Sequence, residues 1–393
     1  MLDGRVAWSA ATLLRALSHP HGDRADDLAE AIAVRDGRAL LERFLEQYGH
    51  RLRLRANGLA EALDAASTAL TLRSAWDPWA GAVARSLRRD DPAPERAAVV
   101  AALHLTAGGS ATSSWSCLLG EPARLRFGRC VLPAADLVAV SVDNSWVQIG
   151  IQGPAGDHQV TLAPDGSYQA AGAELLPAVG ERRQLTLLAR GEPEIGFPPD
   201  GEGVVVPGSL PREAVSSLEC ALELLGRCAP RYLRWVEWAV RDAVVLSAEP
   251  GSPRSGVSGD WPGLVYLSAP HEPATVAELL VHEAAHQYLH LTRRVGPVDD
   301  GSDERRYWSP LKGAERPLGR LLAAYHAFGN VALLYWACIE AGVDDLGHAA
   351  VRLPTLLEAL RSTEVHLWEN PALTPAGRAL LDPLMERLAT LEG

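Results

Sequence analysis

Residues 282–286 read His-Glu-Ala-Ala-His, two imidazoles and a carboxylate at a spacing that can grip a divalent metal ion from one face of a helix. Side chains four apart on a helix lie about one turn apart on the same face, so His282 and His286 can reach one ion. Glu283 is then angled toward the open side of that ion, where a hydrolytic enzyme keeps a general base for metal-bound water. The motif lies in an apolar run, with Leu279-Leu280-Val281 before it, Ala284-Ala285 inside it and Leu289 after it. Two histidines buried there without a metal would each need a separate hydrogen-bond partner. A metal site at His282 and His286, with Glu283 as its catalytic carboxylate, is the expectation.

A third ligand must come from elsewhere. His290 continues the stripe, but at about 1.5 Å of rise per residue it lies roughly 12 Å along the axis from His282 and cannot share the ion. Leu289 and Thr292 stand where an extended H-E-x-x-H-x-x-G-x-x-H motif carries its glycine and third histidine, which excludes that class. Two candidates stay open. Glu304 lies at a suitable distance downstream, in a stretch (Asp299-Asp300-Gly301-Ser302-Asp303-Glu304) that reads as loop. His326 lies inside an apolar helix with Leu321, Leu322, Ala323, Ala324, Tyr325, Ala327 and Phe328.

The elements that must hold these residues follow from periodicity and punctuation. Pro273 followed by Ala274 to Leu291 fits a long helix that begins on proline and is stopped by Gly296-Pro297. The apolar runs Ala243 to Ser247 and Leu264 to Ser268 are short strand candidates ahead of it. Val298 to Arg316, rich in glycine and charge, is expected to be a loop over the site. A second strong helix runs from about Pro317 to Ala341, and two more helical segments close the chain. Upstream, Leu2 to about Ala107 shows helical spacing, as in Leu59, Leu63, Ala66 and Leu70, with Asp77-Pro78 and Asp91-Pro92 marking helix starts. After Gly108-Gly109-Ser110 the pattern changes: residues 138–142, 146–149 and 185–188 read as strands between turn residues. The expected fold is α+β and mainly helical. It comprises an N-terminal helical bundle (1–108), a small β-rich region (109–207) and a zincin-like, metal-binding helical catalytic region (208–393).

Composition narrows the function classes. The chain has 393 residues, enough to bury a sizeable core. Its 49 acidic and 37 basic side chains leave a net charge of −12, and every base except Lys312 is an arginine. An acidic chain without a basic run argues against a nucleic-acid partner or an anionic membrane. Five scattered cysteines without a C-x-x-C pair are expected to be buried reduced thiols. The opening residues, Met1-Leu2-Asp3-Gly4-Arg5, do not start a secretory signal, and apolar stretches such as Val331 to Ile339 are too short to span a bilayer; a cytoplasmic location is expected.

The ordered set His282-Glu283-x-x-His286, Tyr307-Trp308-Ser309-Pro310, Glu315-Arg316-Pro317-Leu318-Gly319 and Leu322-Ala323-Ala324-Tyr325-His326-Ala327-Phe328 resembles the HEXXH-motif domain associated with ribosomally synthesised and post-translationally modified peptides. That family is described as iron- and 2-oxoglutarate-dependent peptide β-hydroxylases, and the resemblance covers the last third of the chain. It implies Fe(II) rather than zinc, 2-oxoglutarate as co-substrate, and a precursor peptide as partner. Members often carry a tryptophan after Ser-Pro, where this chain has Leu311, and a Leu-His pair where it has Ala323; His326 lies about one turn later. On this resemblance His282, His286 and His326 hold the iron and leave positions for the 2-oxo acid and oxygen. Arg316, then Arg320, are the candidates for the distal carboxylate, which suits a planar bidentate cation. Glu283 would orient a ligand or the substrate. Taken on the motif alone, the chain reads instead as a zinc metallopeptidase with Glu283 as general base. A third reading is a non-catalytic peptide-binding protein.

Overall fold

The computed structural model describes residues 14–20, 25–143, 146–164, 167–170, 173–180, 185–189, 209–247, 253–343 and 347–391. The start of the chain, on which the absence of a secretory signal rests, lies outside the described residues, as does the boundary expected near residue 207.

The fold is α+β and mainly helical. The N-terminal region has helices α1 (Ala25–Arg55), α2 (Leu59–Thr68), α3 (Leu72–Ala75), α4 (Trp79–Arg89) and α5 (Glu95–Ala107). The buried residues of α5 fall on every side of it, and it packs on α2 and α4, while the long α1 packs along α2, α3 and α4. The bundle is not closed on itself. A short strand at its centre, β1 (Ala56–Asn57), pairs with β2 (Trp115–Ala123) and so joins the sheet that follows.

That sheet adds β5 (Ala135–Asp143), β6 (Trp146–Gly153), β7 (Gly156–Leu162) and β8 (Tyr168–Ala170) in the order β1-β2-β5-β6-β7-β8, antiparallel throughout. β6 shows why these residues make a half-buried strand: Val147, Ile149 and Ile151 point inward while Trp146 and Gln148 point to solvent. Small strands β3 (Arg126–Phe127), β4 (Cys130–Val131) and β9 (Glu174–Leu175) form a side sheet.

Two strands from the middle of the chain then leave this region. β10 (Ala178–Val179) and β11 (Leu185–Leu188) join β12 (Asp242–Ser247), β13 (Ser255–Val257) and β14 (Leu264–Ala269) in a second sheet, ordered β10-β11-β12-β14-β13. β11, β12 and β14 run parallel, and both edge strands are antiparallel. β12 is central, and its first five residues are all buried, as a parallel strand covered on both faces requires. A buried bidentate pair, Arg126 to Asp242 at 2.9 and 2.6 Å, ties the side sheet to the start of β12.

The helices around the second sheet are α6 (Arg212–Cys228), α7 (Pro230–Ala239), α8 (Pro273–Arg293), α9 (Leu318–Glu340), α10 (Gly347–Leu367) and α11 (Pro375–Ala389). α7, α8 and α11 each carry proline in the first turn, where the missing N–H would have no partner anyway. α11 is also capped by Thr374, whose Oγ1 accepts from Gly377 N at 3.2 Å. α9 has the length and apolarity of a membrane span, but its sides are mostly buried against the helices around it. An aromatic stack locks the N-terminal region onto this one: Trp76 stacks on Trp238, Trp238 on Tyr288, and Tyr288 on Trp235 at 4.3 Å between ring centres.

One expectation needs correcting. The stretch from Val298 to Arg316 is not loop throughout: β15 (Arg306–Ser309) and β16 (Ala314–Pro317) form a hairpin in which Tyr307 pairs with Arg316 and Ser309 with Ala314. Asp303 pins its base, accepting from Arg305, Tyr307 and Asn370. Without that local anchoring, so charged a stretch has little to order it.

Candidate functional site

α8 carries the motif, and burial is what gives it chemistry. His282 is buried, His286 is half-buried, and their rings lie 4.8 Å apart at 86° to each other. Their ring contacts among the described residues are to each other and, for His282, to the Phe328 ring on α9 at 4.7 Å. Desolvation pushes His282 down to about 3, helped by the charges of Lys312 and His326. His286 is also lowered well below its ordinary value, again by burial first and then by His282, His290, Lys312 and His326. Both imidazoles are therefore neutral at physiological pH, the form that ligates a metal.

Glu283 points to the other side of the helix crest and is buried. Its Oε1 accepts from Ser255 Oγ at 2.6 Å, and its Oε2 is buried with no hydrogen-bond partner among the described residues. Burial raises the carboxyl to about 7, against the opposing effects of the Ser255 hydrogen bond and the Lys312 charge. Ser255 lies on the edge strand β13, which brings that strand against α8. Beside it Gly256 is paired with Tyr266 of β14, and a Cβ at Gly256 would lie 2.1 Å from the Tyr266 hydroxyl oxygen. Glycine there makes room for the ring. Tyr266 is itself raised, by burial and then by the neighbouring Glu283.

The hairpin supplies the opposite wall. Lys312 sits in its turn, where its N–H bonds Ser309 O at 3.1 Å, and its ammonium lies 4.9 Å from the centre of the Phe328 ring. Its charge reaches His282, Glu283 and His286 alike. Arg316, half-buried on β16, is close enough to lower Lys312, and its Nε is buried with no partner. Arg320 is exposed and acts on a different group: its charge bears on His290 and Arg293. His290 is half-buried and pushed to about 4, by desolvation first.

His326 is placed differently from His282 and His286. Its Nε2 donates to Ser18 O at 2.8 Å, and Asn330, one turn on, donates to the same carbonyl at 3.0 Å. Burial lowers it to about 4, although the carbonyls of Ser18, Leu17 and Ala285 favour its protonated form. Its ring meets Trp235 edge-on at 6.4 Å, so it helps clamp the N-terminal segment onto α9. Glu304, the other candidate third ligand, is exposed and lines a cleft of about 480 Å³ with Asp303, Arg305 and Asn370. Among the described residues, no three His, Cys, Asp or Glu side chains are grouped closely enough to hold a metal ion.

The structure thus brings His282, Glu283 and His286 within charge reach of Lys312, and Arg316 within reach of Lys312; His290 acts on His286, Arg320 acts on His290, and Glu304 lines the cleft at Asp303. The motif did not point to Ser255, Tyr266 or Phe328, and no sequence signal marks the first. Lys312 did carry a signal, as the single lysine in the chain. No protein-family model matches the chain, and no curated protein matches its sequence.

Proposed function

We propose that this protein is an Fe(II)- and 2-oxoglutarate-dependent hydroxylase acting on a side-chain β-carbon in a ribosomally made precursor peptide. The observation that carries the reading beyond the resemblance is a pair of neutral imidazoles on one helix face within charge reach of Lys312, with Arg316 near that lysine on the same hairpin and its buried Nε without a hydrogen-bond partner among the described residues. Two imidazoles on one helix face fit two positions of a metal ion, and a guanidinium with an unused donor fits the far carboxylate of a 2-oxo diacid. The donor set is incomplete in one respect. Ala323 stands where the resemblance places a histidine, and His326 spends Nε2 on Ser18 O but keeps Nδ1 buried without a hydrogen-bond partner among the described residues, so His282 and His286 fit as ligands and His326 stays the candidate third.

Bound there, iron would supply the oxidation of an unactivated C–H bond by dioxygen, with 2-oxoglutarate leaving as succinate and carbon dioxide. The chain's own residues do the rest. His282 and His286 offer lone pairs without first losing a proton. Arg316 fixes the co-substrate by its distal end. Glu283, near 7, can hold or release a proton at Oε2 beside the substrate while Ser255 fixes its other oxygen. The edge strand β13 and the β15–β16 hairpin bound the opening through which a peptide enters, and zincin-like describes this arrangement of edge strand and motif helix.

Anaerobic addition of Fe(II) and then 2-oxoglutarate is expected to give a weak visible charge-transfer band that His282→Ala and His286→Ala each abolish. Zinc retained through purification, with peptide cleavage and no 2-oxoglutarate turnover, overturns the reading in favour of a zinc metallopeptidase. That second reading has one observation of its own: a carboxyl near 7 with one free oxygen suits a general base for water.

A further inference from the structure

Lys312 has no role in the reading above. It is the one lysine in a chain that otherwise uses arginine. It is exposed, at the turn of the hairpin that walls the site, and next to Gly313 at φ +60°, a backbone conformation that fixes the turn. Its ammonium leans inward over Phe328, the ring that also packs on His282. Among the described residues it pairs with no carboxylate, although it lies within electrostatic reach of Glu283. A cation leaning over an active-site aromatic, with no carboxylate paired to it among the described residues, is an open seat for an anion.

Two cations face this site, and their exposure divides the work. Arg316 keeps its Nε buried without a hydrogen-bond partner among the described residues, which suits a small co-substrate. Lys312 is exposed, where a larger substrate can reach it. The net charge of −12 sharpens the point, because an acidic peptide is repelled by most of this surface and needs a local cation to be drawn in.

We infer that Lys312 selects the substrate: it binds a peptide carboxylate at the mouth of the His282–His286 site and so sets which stretch of the peptide is presented there. The carboxylate is that of an aspartate or glutamate side chain, or the peptide's C-terminus. The inference deepens the reading of the protein as a peptide-modifying enzyme and rests on it for the word substrate; the anion seat itself does not depend on which metal is bound.

The single lysine makes the test specific. Reductive methylation with ¹³C-formaldehyde places ¹³C-methyl groups on Lys312 and on the α-amino group and leaves the lysine charge in place. The α-amino resonance then serves as internal reference. The full-length protein is titrated with three short peptides that differ only in their carboxylates: central Asp with an amidated C-terminus, central Asn amidated, and central Asn with a free C-terminal acid. The Lys312 resonance is expected to shift saturably with at least one acid and not with the amidated Asn peptide; which acid responds identifies the source of the carboxylate. In unlabelled Lys312→Met, the responding peptide should bind about tenfold more weakly or worse, as the loss of one charge-assisted contact requires. Lys312→Arg should restore most of the affinity.

A shift with neither acid overturns the inference. So does an equal shift on adding 2-oxoglutarate alone, which would give Lys312 to the co-substrate. Broadening of the same resonance by Mn²⁺, absent in the His282→Ala/His286→Ala double variant, reports the metal seat separately. Peptide shifts without Mn²⁺ broadening would sink the metal-dependent reading and leave the anion seat standing. Broadening without peptide shifts would do the reverse.

Discussion

The most direct consequence of the site's burial is a stability that falls with pH because of one carboxyl. Glu283 is moved from an ordinary 4.5 to about 7, mainly by desolvation. A carboxyl whose folded value is raised holds its proton more tightly in the native chain than in the unfolded one. Between those two values the native state carries more protons, so stability drops as pH climbs through the window. The penalty is absent below it and complete above it. At about 1.4 kcal/mol per unit the full penalty is about 3 kcal/mol. Glu283→Gln keeps the shape and still offers Ser255 an oxygen to donate to, but it cannot ionise. In metal-free protein the glutamine variant should therefore be more stable than the parent by about 3 kcal/mol near pH 8 and about equal to it near pH 4. Guanidinium unfolding of both proteins at both pH values gives the double difference. His282 and His286 titrate in both proteins and cancel. A difference that does not change with pH would refute the desolvated-carboxyl account, and a parent that gains on the variant as pH rises would reverse its sign.

Because burial holds His282 at about 3 and His286 well below its ordinary value, the histidines should cost metal affinity little between about pH 7.5 and 5.5, where an ordinary histidine pair would lose about a hundredfold. A competition titration with a metallochromic dye at the two pH values measures this. His326→Ala removes a buried ring and one of two donors to Ser18 O, and should destabilise by about 2–4 kcal/mol and speed proteolysis near Ser18. If it also abolishes iron binding while His326→Asn, still a donor to Ser18 O, does not restore it, His326 is a ligand after all. Gly81→Ala should destabilise by about 2 kcal/mol or more although alanine is the better helix former: the added Cβ would lie 2.0 Å from the Trp261 ring and 2.4 Å from Asp260 O. A thermal melt equal to the parent's would show that the Trp261 segment yields freely.

The sequence was most legible where one local rule acts alone. Pro273 and the apolar spacing that follows place α8 within two residues of where it lies, and the same holds for α9 after Pro317. The strands β5, β6, β12 and β14 were visible from their apolar runs. Sheet membership was not: residues 185–188 read as part of the middle region, yet β11 pairs in parallel with β12, more than fifty residues on. Nothing local in Leu185-Thr186-Leu187-Leu188 states its partner, because pairing across such a gap is decided by what else needs covering. The β15–β16 hairpin escaped for the opposite reason. Arg306, Glu315 and Arg316 mask any alternation, and the fold there is fixed by one aspartate and its three donors rather than by a hydrophobic face.

The site itself divides along the same line. Residues that share one helix were legible as a group, and residues contributed by other elements were not. Ser255 stands in a three-residue strand, and only the pairing of β13 with β14 carries it to Glu283. His326 shows the limit from the other side: its helix was legible, but not that one ring nitrogen would be taken by the Ser18 carbonyl while the ring stays within charge reach of His282 and His286. What the assembled site shows, and the motif alone could not, is a charge imbalance. Two neutral imidazoles, a carboxyl poised near 7 and Lys312, with Arg316 within its reach, give a site that is net positive in an acidic protein whenever Glu283 is protonated. A divalent metal adds to that surplus. On the proposed reading an anionic ligand accompanies the metal: an oxo diacid at Arg316 and a peptide carboxylate at Lys312 would bring more negative charge to the site than the single hydroxide of the peptidase reading.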